Sequence, residues 1–104
     1  MGKLRFGTCS WKYESWQGLV YSAGAKENYL AEYGMKYDTV EIDQWFWSLF
    51  GVDKVSLQKP EVVREYVNSV NTDFRFTIKV PNSLTLTHFY RKRKTEPLIE
   101  NPHF

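Results

Sequence analysis

Cysteine is almost missing from this chain. Cys9 stands alone among 104 residues, which excludes an internal disulfide and fits a reducing compartment, so a cytoplasmic location is the expectation. Histidine is scarce as well: His88 and His103 have no close histidine or carboxylate spacing of the kind that binds a metal, and no metal site is expected within the chain. Long apolar runs are absent. The opening MGKLRFGTCSW lacks the hydrophobic stretch of a signal peptide, and no run is long enough to cross a bilayer, so no membrane partner is expected. Gly2 invites myristoylation, but position 6 is Phe where Ser or Thr is required. An excess of one charge sign is lacking too. The 14 Lys and Arg against 12 Asp and Glu leave +2, so bulk charge points to neither nucleic acid nor membrane. The length suits one domain with a real core, and residues 1–104 are read as a single domain.

What the chain has in quantity is aromatic side chains, 17% of its residues, concentrated in two stretches. One is TVEIDQWFWSL, Thr39–Leu49. It opens as a strand in which Val40 and Ile42 point one way and Glu41 and Asp43 the other. Trp45, Phe46 and Trp47 follow. Two carboxylates on one face beside an aromatic cluster fit the wall of a pocket; a half-buried strand with a solvated acidic face is the alternative. The other stretch is the aperiodic connection from Cys9 to Ala25, with Trp11, Tyr13, Trp16 and Tyr21. Its length fits a functional loop, or a plug over the end of a core, and its rings argue against disorder.

The remaining pattern gives strand, helix, strand, helix, strand. Leu4–Thr8 reads as a strand with Leu4, Phe6 and Thr8 on one face and Arg5 and Gly7 on the other. Residues 26–36 read as a helix with a stripe of Tyr29, Leu30, Tyr33 and Tyr37. Gly51 to Lys59 reads as a connection. Pro60 then opens a second helix, with Glu61 in its first turn and Val62, Val63, Tyr66, Val67 and Val70 as its apolar face. Phe74–Val80 is the third strand, closed by Pro81. Strands separated by helices imply right-handed crossovers and a parallel sheet in the order 1-2-3. Each strand has one apolar and one polar face, where a doubly wound sheet would be apolar on both. The expected fold is therefore α/β, a β-α-β-α-β parallel unit forming part of a TIM-type (β/α) barrel. The helices lie over Phe6, Val40, Ile42, Phe76 and Ile78. Arg5, Glu41, Asp43, Arg75 and Lys79 point inward and must pair, with Glu41 expected opposite Lys79 or an inward arginine. The last segment holds Thr85, Thr87, His88 and the run Arg91-Lys92-Arg93-Lys94, read as a solvated basic loop or a phosphate-binding patch.

Three motifs now stand in order: FGTCSWKYESWQG, TVEIDQWFW, and FRFTIKVP followed by LTH. They resemble the DUF72 (YecE-like) family, whose common forms are G-T-S-G-W-x-Y-x-x-W-x-G, V-E-I-N-x-T-F-Y, and F-x-F-x-x-K-x-P with T-H. The resemblance implies a TIM-type barrel of about 250 residues, of which this chain supplies the first three strands and two helices. It carries over to Thr8, Trp11, Tyr13, Trp16, Glu41, Phe46, Lys79, Pro81, Thr87 and His88. Asp43 stands where the family has Asn, Trp47 where it has Tyr, and Cys9-Ser10 where it has Ser-Gly.

Three functions compete. In an enzyme acting on a phosphate- or sugar-containing substrate, Glu41 is general base or metal ligand, Lys79 an electrostatic stabiliser or acid, and His88 a proton carrier. Trp11, Tyr13, Trp16 and Trp47 then stack on the substrate in one cleft, with Asp43 and Thr87 beside it. In a binding module the rings and the Arg91–Lys94 run grip single-stranded nucleic acid or a nucleotide. In the third, the chain is an inactive barrel fragment whose open strand edges draw it into a homo-oligomer. The residues specify no cofactor.

Overall fold

The computed structural model describes residues 2–22 and 28–104; the expected helix start at Lys26 and Glu27 lies outside the described residues. The elements are β1 (Gly7–Cys9), α1 (Tyr29–Gly34), β2 (Thr39–Ile42), β3 (Leu49–Gly51), β4 (Lys54–Val55), α2 (Pro60–Ser69), β5 (Arg75–Ile78) and α3 (Asn82–Thr85). They fall into two compact units, Met1–Asp43 with Lys59–Ile78, and Gln44–Gln58 with Lys79–Phe104.

The first unit is a mixed α/β layer. Its sheet is parallel, in the order β1-β2-β5, with Gly7, Thr8 and Cys9 opposite Thr39, Val40 and Glu41, and Thr39 to Ile42 opposite Arg75 to Ile78. The expected strand order is therefore found. Val40 and Ile42 are buried, each contributing about 1.5–3 kcal/mol relative to exposure. Tyr33 of α1, fully buried, lies against this face. Its hydroxyl donates to the Thr39 carbonyl at 2.8 Å and accepts from the Thr8 amide at 2.9 Å, which satisfies a polar tip inside an apolar layer. Asn28 caps α1, its side chain accepting from the Ala31 amide at 3.2 Å. Two close approaches require glycine. A Cβ on Gly7 would stand 2.0 Å from the Thr39 carbonyl oxygen, and one on Gly34 would stand 2.8 Å from Val70 Cγ1, where α1 meets the end of α2. Along α2, Val62, Tyr66, Ser69 and Val70 are half-buried while Val63 and Val67 are exposed, so the apolar face is narrower than its composition implied.

Two expectations about the first strand are corrected. The ladder begins at Gly7 rather than Leu4, so Leu4 and Phe6 lie outside it and are 78% and 73% exposed. Arg5 does not face the polar side of the sheet. It turns to the N-terminal edge, where it meets Asp38 at 3.3 Å and Asp73 at 3.1 Å, the residues just ahead of β2 and β5.

The second unit has a polar centre. Hairpin β3–β4 falls within the Ser48–Lys59 stretch and occupies part of what the sequence presented as plain connection. Ser48, Asn82, Ser83 and Asn101 are its buried polar residues. Asn82 Oδ1 accepts from the Ser48 and Leu49 amides at 2.9 Å each. Asn101 Nδ2 donates to the carbonyls of Ser83 at 2.9 Å and Leu86 at 2.7 Å. Buried polar groups paired this fully specify one arrangement instead of a loose core.

Candidate functional site

Register decides which side chains share the solvent-facing side of the first unit's sheet. Opposite Gly7, Thr39 and Arg75 come Cys9, Glu41 and Thr77 one step along the same face. Cys9, Glu41 and Thr77 thus form a row across the C-terminal halves of three parallel strands, in a depression of about 200 Å³. Cys9 Sγ donates to Glu41 Oε2 at 3.4 Å. That bond pushes the thiol above its ordinary pKa, helped by the charge of Glu41, by burial and by Asp43. The thiol therefore stays neutral and acts as a weak donor to Glu41, not as a nucleophile. Within this unit Glu41 is not matched by an inward arginine. Arg5 is held by Asp38 and Asp73, and the Arg75 guanidinium donates to the Thr72 and Phe74 carbonyls at 3.0 and 3.3 Å. Asp43 follows β2, half-buried.

The loop after β1 is organised by its own rings. Ser10 adopts φ 65°, in the left-handed region, and its amide extends the ladder by donating to the Glu41 carbonyl at 2.9 Å. The Tyr13 hydroxyl donates to the Cys9 carbonyl at 2.9 Å, and the Tyr21 hydroxyl to the Trp11 carbonyl. Burial, ahead of neighbouring tyrosines and Glu32, pushes the Tyr21 phenol up to about 12. Trp11 is 2% exposed and packs edge-on against Tyr66, with centroids 5.0 Å apart. Both line a cleft of about 800 Å³ between this loop, α1 and α2. Trp16 lies instead among Tyr13, Tyr21 and Tyr33. Trp11 and Trp16 are thus engaged in packing, and they face different neighbours.

The other sequence candidates lie in the second unit. The Lys79 ammonium stands 4.2 Å above the Phe46 ring. His88 Nδ1 is 3.0 Å from Thr87 Oγ1, and the Thr87 carbonyl accepts from the Asn101 amide at 2.8 Å. Trp47 is 60% exposed, between Phe46 and Tyr90. Among the described residues no three His, Cys, Asp or Glu side chains converge as a metal-binding group, and no helix is long and apolar enough to cross a membrane. Sequence reasoning missed Cys9 and Thr77. Alternation carries both, since each shares the parity of Glu41's face.

The family model described as protein of unknown function DUF72 matches residues 5–102. This chain belongs to the DUF72 family. No curated protein and no solved structure matches it. In DUF72 terms, the row Cys9–Glu41–Thr77 is drawn one residue from each of the three family-like motifs.

Proposed function

We propose that this DUF72 chain is the N-terminal β-α-β-α-β part of a TIM-type barrel, and that the polar face of its sheet belongs to an enzyme site for a small phosphate- or sugar-containing substrate. Glu41 is the general base. One observation carries this reading: Glu41 stands on the central strand of a parallel sheet, toward its C-terminal end, with a neutral thiol on its carboxylate and no arginine of its own unit neutralising it. Active sites of such barrels gather at that end of the strands, and a carboxylate that no arginine of its unit neutralises can accept a substrate proton. Cys9 positions the carboxylate, and Asp43 and Thr77 contact the substrate. Tyr13, by closing on the Cys9 carbonyl, positions the rim. Lys79, Thr87 and His88 belong to the second unit and have no part in this reading.

The outer edges of β1 and β5 favour a second reading for the chain by itself. Neither edge is paired within the three-stranded sheet, so the chain associates with further strands, its own copies included, and is inactive until they cover it. Amide resonances followed during titration with sugar phosphates and nucleotides test both readings. Shifts at Cys9, Glu41, Asp43 and Thr77 are expected, with Glu41→Gln removing them at unchanged melting temperature. Where turnover is found, the same change lowers it about 100- to 10,000-fold. Binding without turnover marks the inactive part. Equal loss of binding and stability in Glu41→Gln makes the residue structural and ends the proposal.

A further inference from the structure

The second unit carries a surface that the Glu41 reading does not use. Six of the chain's Lys and Arg but only three of its carboxylates, Asp53, Glu96 and Glu100, fall in this unit, leaving it at +3 when the whole chain is +2. Cations flank a row of three rings along it. Lys79 stands over Phe46, Phe46 meets Trp47 edge-on at 5.0 Å, and Trp47 lies 6.2 Å from Tyr90. Tyr90 leads directly into Arg91-Lys92-Arg93-Lys94.

Trp47 and Tyr90 are 60% and 63% exposed. Their planes are tilted by 52°, so neither ring covers the other's face. Single apolar residues on a surface are ordinary; two large rings side by side, next to cations, are not. The basic run is ordered. The Arg91 guanidinium donates to the carbonyls of Lys94 at 3.1 Å and Glu96 at 3.3 Å, and the Glu96 carboxylate accepts from the Lys92 amide at 3.2 Å. Lys92, Arg93 and Lys94 are exposed, and the ion pairs among the described residues all involve Lys3 or Arg5 instead. Among the described residues, three exposed cations without carboxylate partners thus lie in the segment that follows Tyr90, one of two exposed neighbouring rings.

We infer that this surface binds single-stranded nucleic acid, with bases stacking on Trp47 and Tyr90 and the phosphates lying against Lys92, Arg93 and Lys94. Stacking on exposed rings is open to unpaired bases of any sequence, whereas a duplex keeps its base faces inside. The cations supply the salt-dependent part by releasing counterions from the strand. A wholly apolar partner would leave the three cations unmatched, and a simple polyanion would leave the two rings unused.

The test uses the full chain and fluorescein-labelled oligothymidylate and oligouridylate of about 20 nucleotides, with a blunt duplex and heparin as competitors, between about 50 and 200 mM salt. Binding to both single strands is expected, with the duplex competing poorly. Trp47→Ala and Tyr90→Ala each weaken it about 5- to 150-fold, and Trp47→Phe restores most of the loss. Replacing Lys92, Arg93 and Lys94 together by Ala flattens the logarithmic salt slope by about 2. Circular dichroism on each variant separates lost binding from lost fold. Affinity indifferent to both ring substitutions, equal competition by duplex or heparin, or no binding at the lower salt overturns the inference. Glu41→Gln leaves this binding unchanged, so the result stands apart from that of the proposed enzyme site.

Discussion

A serine at φ 65° is held there by its neighbours: Ser10 donates its amide to the Glu41 carbonyl, and Thr8 Oγ1 donates to the Ser10 carbonyl at 2.7 Å. The left-handed region costs an L-residue about 1–2 kcal/mol, and glycine avoids that at a somewhat smaller entropic cost. Ser10→Gly is expected to stabilise by about 0.5–1 kcal/mol, visible as a melting temperature a few degrees higher; a lower value would mean the serine hydroxyl matters more than the backbone. Cys9 gives a second residue-scale expectation. Its thiol is exposed yet raised in pKa by Glu41, so iodoacetamide reacts with it slowly near pH 8, and Glu41→Gln speeds the reaction by freeing more thiolate. A rate unchanged by that substitution would break the Cys9–Glu41 link. Glu41's face was legible in the sequence because strand alternation needs no tertiary information. Arg5 was misplaced by the same rule, since alternation holds only inside a ladder and Arg5 precedes it.

At the scale of elements, the two helices and the parallel strand order follow from apolar period and from Pro60, signals that survive without knowledge of neighbours. Hairpin β3–β4 did not show because strands of three and two residues are too short for a period to declare itself, and its Val52-Asp53 turn lacks the usual glycine or asparagine signature. The N-terminal edge of the sheet was hidden for another reason: its clamp joins residues far apart in sequence. Lys3 and Arg5 meet Asp73 at 2.7 and 3.1 Å, with Asp38 beside them. The Arg5 and Lys3 bonds hold the Asp73 carboxyl well below the usual carboxylate range. Folded protein therefore binds fewer protons there than unfolded chain once the pH nears about 4, so the stability the clamp gives is present above that pH and fades as pH falls below it. Asp73→Asn should melt lower than the parent chain at neutral pH, and the gap should close steadily on acidification. A gap that persists unchanged to pH about 2 would place the destabilisation in packing rather than charge.

For the whole molecule, the open edges of β1 and β5 are the main consequence of a three-stranded parallel sheet. Among the described residues the backbone groups there lack ladder partners, and Leu4 and Phe6 stand exposed beside β1. Light scattering during size exclusion at several concentrations is expected to give a mass above that of one chain, rising with concentration. A monodisperse monomer that unfolds cooperatively would show that three strands and their helices suffice. Such an outcome would also separate the barrel reading from the DUF72 membership, which does not depend on it.

The phenol of Tyr33 links a helix to two strands at once, and this has a kinetic consequence. The Thr8 amide lies in the β1–β2 ladder and also donates to a side chain of α1. Its exchange with deuterium should therefore need detachment of the helix as well as separation of β1 from β2, while the Ser10 amide, held by the Glu41 carbonyl, needs only the separation of the strands. Two amides two residues apart would then differ by the helix contact alone, and Tyr33→Phe would hasten exchange at Thr8 while leaving Ser10 nearly as slow as before.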